Sequence, residues 1–407
     1  MSDSELLLLD QINQRLYVIP LGALGAVAIS AGYVECDESI RPYLALPSAE
    51  LLYADHSAVA PYAVRDADLS IVLKRFEVYG LQRTGLPNTV AAYAEQVPWY
   101  GNLTDPTWLS IQLGGQCDSR CSFCYSEWIR HQPKLESRLA RIALEAAASM
   151  PTVKAVVFTG GEPTLRGDLP DLVTHAAALG FRTIGLQTNG HRLADPGYLA
   201  RIDASGVTEI LLSLHGSRSL THDRIARHQG SYSLAYRALT ALGRRYDITT
   251  EVNFVVCPDN MDEAEDLVHL VHAAAPKASI RYSFPIIEGA AFDNIEASTP
   301  TLEAYLSAVT NAKRAASKLG VWVSATNAPA CISDAIGLPA NYLLPKRRSM
   351  LGVSPFVSTS TPRGELAAKV DACESCSLAL DCVGLQLAYL RKYPMAPQHV
   401  RPVHKTA

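Results

Sequence analysis

Cys117-Asp118-Ser119-Arg120-Cys121-Ser122-Phe123-Cys124 spaces three cysteines as C-x-x-x-C-x-x-C, directly after the apolar stretch Trp108-Leu109-Ser110-Ile111-Gln112-Leu113. A tight loop at a strand end can aim three thiolates at one iron–sulfur cube and leave the fourth iron without a protein ligand. Such an iron is a place for chemistry. A structural zinc is the other reading of clustered cysteines, but it usually takes four ligands in C-x-x-C pairs, and no histidine follows here at zinc-finger distance.

The next motif outward is Gly160-Gly161-Glu162-Pro163, which follows the apolar run Ala155-Val156-Val157-Phe158. Alone it would be an ordinary strand-to-helix turn. Together with the cysteine loop, with Phe123 before the last cysteine and Tyr125 after it, the chain resembles the radical S-adenosylmethionine (radical SAM) superfamily. The resemblance implies a [4Fe-4S] cluster held by Cys117, Cys121 and Cys124, SAM on its open iron, and reductive cleavage to a 5′-deoxyadenosyl radical that takes hydrogen from a substrate. It also implies that Gly160, Gly161, Glu162 and Pro163 hold the methionyl ammonium and that Phe123 lies near adenine. A strand end offering carbonyls and a carboxylate suits a cation.

Three further segments follow the same pattern. Gln187-Thr188-Asn189-Gly190 resembles the family's T-N-G segment, which would bring Gln187, Thr188 and Asn189 to the ribose or the SAM carboxylate; Asn-Gly is also a common turn pair. Ser213-Leu214-His215-Gly216 resembles its S-L-x-G segment, with Ser213 as a SAM contact. His215 is open to a structural role or to a proton-relay or substrate role. The pattern continues through His222-Asp223 and Gly230-Ser231, as in family members of the maturase and metallo-cofactor-assembly type, and His222-Asp223 reads as a helix-start hydrogen bond. Asn253 and Val255 lie where family members contact adenine. Cys257 is either a hydrogen donor to a substrate radical or a small buried hydrophobe. Arg281, Tyr282 and Glu288 flank the last strand and are candidates to face substrate.

Short apolar runs at 108–113, 155–158, 183–186, 209–214, 251–256 and 279–284 are rich in Val, Ile and Leu, as strands buried on both faces should be. Helix signals separate them: Asp195-Pro196, a capping box of Asn260 with Glu263, and Thr299-Pro300 opening a helix that runs to about Leu319. Six strand–helix units match the partial (β/α)6 TIM-like barrel that the resemblance implies, with chemistry at the C-terminal strand ends. The expected fold is α/β. A small α+β domain occupies 1–105, the barrel 106–320, and a Cys-rich extension 321–407.

That extension holds Cys331 and the run Cys373, Cys376, Cys382, a C-x-x-C-x5-C pattern followed by Gly384. Four cysteines suit a closed cubane, and a structural zinc equally. The resemblance here is to the SPASM or twitch extensions that carry auxiliary clusters, which implies a second [4Fe-4S] cluster.

The hydrophobic fraction of 48% over 407 residues supports a substantial core. A formal charge of −4 gives no general attraction to phosphate backbones, so nucleic acid is not an expected partner. Residues 16–34 carry no charge, but Pro20, Gly22 and Gly25 interrupt them, and they read as a hairpin of 16–20 turning back through 27–29 rather than a membrane span. Helix candidates at 47–52 and 66–76 follow, then a linker at 87–106. The N-terminus lacks a basic n-region, and nine cysteines, most of them in metal-like clusters, argue for a reducing compartment; together these make a cytoplasmic location the expectation.

The expected activity is therefore that of a radical SAM enzyme acting as a peptide maturase. Its partners would be a precursor peptide and an electron donor such as flavodoxin or ferredoxin. The alternatives are a radical SAM dehydrogenase or rearrangement enzyme with a small-molecule substrate, or a non-catalytic metal-stabilised protein.

Overall fold

The computed structural model describes residues 106–404, except 128–129, 132–133, 246, 339–349, 354–366, 380–381 and 383, and five strands ahead of them. These are β1 (Glu5–Asp10), β2 (Arg15–Pro20), β3 (Gly32–Cys36), β4 (Ser39–Tyr43) and β5 (Trp99–Gly101). β1 pairs antiparallel with β2, and β3 with β4. The strand expected at 16–20 thus exists, paired with the segment before it; 27–29 and the helix candidates at 47–52 and 66–76 lie outside the described residues.

The six expected strands are β6 (Trp108–Gln112), β7 (Ala155–Thr159), β8 (Thr183–Thr188), β9 (Glu209–Ser213), β10 (Thr249–Val255) and β11 (Ser279–Ser283). They are parallel and adjacent in chain order. Between them run α1 (Ser137–Ala148), α2 (Leu169–Ala178), α3 (Pro196–Ala204), α4 (Ser219–Ala226), α5 (Ser231–Leu242) and α6 (Ala264–Ala274). α7 (Leu302–Leu319) follows β11 and leads into β12 (Val323–Thr326), a seventh parallel strand in the same order. The alternation therefore runs one strand past Leu319. Gly320, in the left-handed region at φ 71°, ends α7 and turns the chain into it. On the opposite edge β13 (Met350–Val353) lies parallel to β6, and β5 pairs antiparallel with β13. The stretch read as a linker at 87–106 thus contributes an edge strand.

Residues alternate along each strand. Leu109, Ile111, Val156, Phe158, Ile184, Leu186, Ile210, Leu212, Val252, Phe254, Ile280 and Tyr282 are all at most 1% exposed and join the helices in one core. Each such side chain contributes roughly 1.5–3 kcal/mol by leaving water. The intervening positions, among them Gln112, Thr159, Gln187, Ser213, Glu251, Asn253 and Arg281, are half-buried on the other face. Tyr282 belongs to the helix-facing set, its hydroxyl donating to the Ala264 carbonyl at 2.7 Å, so it does not share a face with Arg281.

The caps follow the sequence with one change. Asp195 accepts the Tyr198 N–H at 2.6 Å, and Thr301, rather than Thr299, accepts the Ala304 N–H at 3.2 Å. Asn260 and Glu263 form no reciprocal box. Glu263 is 1% exposed and instead takes the N–H groups of Ser217 and Arg218 at the start of α4 (2.7 and 3.1 Å), donors that have no partner within the helix. Asn260 donates to the carbonyls of His215 and Val255, tying the ends of β9 and β10 together.

The C-terminal extension packs on the same core. It comprises α8 (Ala330–Ile336), the short pair β14 (Ala367–Ala368) and β15 (Leu385–Gln386), and α9 (Leu387–Lys392). Tyr389 sits edge-on to Phe284 at 5.4 Å, and the Gln386 amide both accepts from Ile287 N–H and donates to the Pro285 carbonyl, each at 2.8 Å. No helix among the described residues is long and apolar enough to cross a membrane.

Candidate active site

The 117–124 loop leaves β6 and is held at several of its backbone groups from outside the loop. Arg120 N–H and Ser122 N–H donate to the Ala226 and Ile225 carbonyls at 2.9 Å, so the loop satisfies the last carbonyls of α4. Arg130 donates to the carbonyls of Cys117 (2.9 Å) and Ser119 (2.6 Å) while its guanidinium pairs with Glu127 at 3.0 Å. His228 Nδ1–H donates to the Asp118 carbonyl at 2.8 Å.

Glycine explains how the next motif meets it. Gly161 has φ 51°, and a Cβ there would lie 2.3 Å from the Gln116 carbonyl oxygen. That oxygen also accepts the Glu162 N–H at 2.7 Å. Gly289 approaches from the other side, where a Cβ would lie 2.8 Å from the Cys124 carbonyl that accepts the Ala290 N–H at 2.9 Å. Sequence reading missed Gly289, although a glycine just beyond the end of the last expected strand was a signal for a close approach.

The sequence-derived contacts divide into two groups. Glu162, 3% exposed, accepts from Thr164 N–H (3.0 Å), the hydroxyls of Thr164 and Thr188 (2.6 and 2.7 Å) and Asn189 N–H (2.7 Å). Burial pushes its carboxyl up, and these bonds oppose the shift. Asn189 donates to Asp118 Oδ1 at 2.6 Å and accepts the His191 N–H at 3.0 Å. Glu162, Thr188 and Asn189 thus bind the turn after β8 to the turn after β7 and to the cysteine loop. Pro163 is buried beside them, opening the short turn at Pro163–Leu165. Gln187, Ser213, Asn253 and Val255 belong to the half-buried strand face, where Gln187 accepts from the Thr159 hydroxyl (2.9 Å) and Asn253 from the Ser283 hydroxyl (2.6 Å).

Phe123 meets His215 edge to face at 4.8 Å. His215 is buried, which holds its pKa well below the ordinary histidine value; its Nδ1 accepts the Val255 N–H at 3.3 Å, leaving the neutral ring's proton on Nε2. Cys257 is fully buried against Phe123, Ile225 and Ala291, and burial pushes its thiol up to about 12, as for a small core residue. Arg281 pairs with Glu251 on the half-buried strand face. Glu288 lies in the segment after β11, its N–H donating to the Ile286 carbonyl at 2.9 Å.

Burial also raises the Cys117 thiol to about 12, with Glu162, Asp118 and Cys124 adding to the rise, and the Cys121 thiol further, with Cys124 and Cys117 adding to it. Ser119 N–H opposes it by donating to Cys117 Sγ at 3.4 Å. Thiols so placed lose their protons to a bound metal rather than to water, so the loop fits a cation cluster.

Cys331, Cys373, Cys376 and Cys382 line one cavity with Lys369 and Arg401. Burial raises the Cys331 thiol to about 11, with Cys382, Cys373 and Cys376 adding to it. Backbone N–H groups are aimed at the sulfurs: Ala330 and Gly384 donate to Cys382 Sγ and Val403 to Cys376 Sγ, all at 3.4 Å. Gly384, at φ 92°, is required because a Cβ would lie 2.2 Å from the Ala368 carbonyl oxygen. Residues 285–290 bond to the first cysteine loop through Ala290 at Cys124 and to the C-terminal extension through Gln386.

Residues 111–271 match the family model of the radical SAM superfamily. Over 182 residues the chain is 30% identical to the mycofactocin maturase MftC of Mycolicibacterium smegmatis, covering 44% of each protein. It is 31% identical over 111 residues to the 7,8-dihydro-6-hydroxymethylpterin dimethyltransferase of Methanocaldococcus jannaschii, covering 26% of this chain and 22% of that one. The chain spans only 22% to 52% of the length of the first curated relatives it matches. Among solved structures, SuiB of Streptococcus suis bound to S-adenosylmethionine has a TM-score of 0.52 at 13% identity, covering 85% of this chain and 84% of that one, a likeness in fold.

Proposed function

We propose that this chain, which carries a radical SAM domain over residues 111–271, cleaves SAM reductively and uses the resulting radical to modify a peptide. The observation that carries the reading is the seating of three thiols on one loop, abutted by Gly161 on one side and Gly289 on the other, at the C-terminal ends of the parallel strands. A [4Fe-4S] cluster with SAM, when bound, would pass one electron from an external reductant to the sulfonium, the chemistry that releases a 5′-deoxyadenosyl radical. Cys117, Cys121 and Cys124 would hold that cluster, with a small electron-transfer protein of the flavodoxin or ferredoxin kind as reductant.

The chain's own residues then orient and shield. Glu162 lies beneath the turns that would receive the methionyl ammonium, and Phe123, backed by His215, offers an apolar edge to adenine. Ser213, Asn253 and Gln187 offer polar groups on the half-buried strand face. The four cysteines of the 321–407 extension would hold a second [4Fe-4S] cluster, closed by protein ligands on every iron. Peptide modification is favoured over a small metabolite because the relative MftC is named a maturase and because an auxiliary cysteine site accompanies the first.

Purified anaerobically and given a strong reductant, the protein is expected to form 5′-deoxyadenosine from SAM. Failure to do so with its cluster intact would overturn the enzyme reading. Replacing Cys373 and Cys376 together by alanine should leave SAM cleavage largely intact while stopping modification of the peptide substrate. Unimpaired product formation by that double variant would remove the auxiliary site from the reaction.

A further inference from the structure

The pair His222-Asp223 and the pair Gly230-Ser231 flank the corner between α4 and α5. Asp223 is a local cap, accepting Gly230 N–H and Tyr232 N–H at 2.7 Å. His222 and Ser231 do something else. The backbone N–H of His215 donates to His222 Nδ1 at 2.9 Å, so the proton of the neutral ring is on Nε2. Burial keeps that ring neutral, with its pKa lowered to about 4. His222 Nε2–H meets Ser231 Oγ at 2.9 Å, which leaves the serine proton for His191 Nε2 at 2.8 Å. His191 then carries its own proton on Nδ1, facing Asp118 Oδ2 at 2.9 Å.

One backbone donor at the end of β9 thus orients every proton along a chain that ends inside the cysteine loop, on the residue after Cys117. His222, Ser231 and His191 are 2%, 1% and 7% exposed, so water does not compete along it. A hydrolytic triad is excluded by the same facts: the serine hydroxyl is buried and bonded on both sides, with no face for a substrate. The ligand atoms of Asp118, His191 and His228 lie within 4.8 Å of one another, but both His191 nitrogens and His228 Nδ1 are already engaged, so the group is hydrogen-bonded rather than arranged around a cation.

We propose that His222, Ser231 and His191 are positioning residues that lock Asp118, and with it the Cys117 end of the cluster loop, to the strand end carrying His215. The seat of the first cysteine and the group behind Phe123 are then one rigid unit. The reaction so positioned is the SAM cleavage proposed above, and that part of the inference rests on it.

The test uses the full-length anaerobic holoenzyme and the variants Ser231→Ala and Ser231→Thr, which removes or retains the bridging hydroxyl. Backbone hydrogen exchange in residues 117–122 is expected to quicken by about 10-fold in Ser231→Ala, and kcat for SAM cleavage to fall by about 10-fold with KM little changed, as for lost outer-shell partners of metal ligands. Ser231→Thr should restore both. Exchange within residues 233–242 of α5 should stay as in the wild type, which a mere helix-start role for Ser231 would not allow. Unchanged exchange at 117–122 in Ser231→Ala, or equal loosening of 233–242, would overturn the inference. A wild type that cleaves no SAM would sink the functional reading alone, since the exchange comparison still tests the chain of bonds.

Discussion

Replacing any one of Cys117, Cys121 or Cys124 by alanine is expected to abolish the SAM cleavage proposed above. A cube held by two thiolates loses both its seat and the geometry that leaves one iron open, and no other cysteine can substitute. Among the described residues the thiol outside both cysteine sets is Cys257, and it is fully buried in the small apolar group behind Phe123. Cys257→Ala is the matched control: it removes one sulfur from a packed site, costs about 1 kcal/mol of stability, and leaves cleavage near the wild-type rate. Cleavage surviving in any of the three loop variants would mean that the cluster is held elsewhere.

The second large effect is expected at a residue that carries no chemistry. In Gly161→Ala the new Cβ would sit 2.3 Å from the Gln116 carbonyl oxygen, at φ 51°. The left-handed conformation alone costs an alanine about 1–2 kcal/mol. The contact is worse, because the opposing atom is backbone and cannot rotate away, and it accepts the Glu162 N–H. The cysteine loop and the Gly160-Gly161-Glu162-Pro163 turn must therefore move apart. A displacement on the order of 1 Å between groups that hold one cofactor costs about 100-fold in rate. Gly180→Ala separates the two causes, since Gly180 has φ 86° but open space around a Cβ. It should lower stability slightly and leave SAM cleavage unchanged. Equal activity in the two variants would show that the close approach at Gly161 does not matter.

The strands and their order were legible because a parallel sheet covered by helices writes itself as short apolar runs at regular spacing. The motifs were legible because each falls at a strand end. β12 escaped notice because Val323–Thr326 is four residues long and follows an 18-residue helix, too short a run for its alternation to stand out. The roles within the site were less legible. Thr188 and Asn189 look like cofactor ligands in sequence, yet their side chains are bonded to Glu162, Asp118 and the turn itself. His191, His228 and Arg130 had no signal in sequence. Each acts on the cysteine loop from 11 to 110 residues away, through hydrogen bonds that only the folded topology creates.

The central claim is that two cysteine sets hold two different iron–sulfur centres, the first of them responsible for SAM cleavage. It is tested most directly by counting iron, acid-labile sulfide and zinc in the anaerobic wild type and in the Cys117/Cys121/Cys124 triple alanine variant. The account predicts about eight irons and about eight sulfides in the wild type, falling to about four of each in the variant, with little zinc in either. Zinc without iron in the wild type, or an iron content that the triple substitution leaves unchanged, would contradict it.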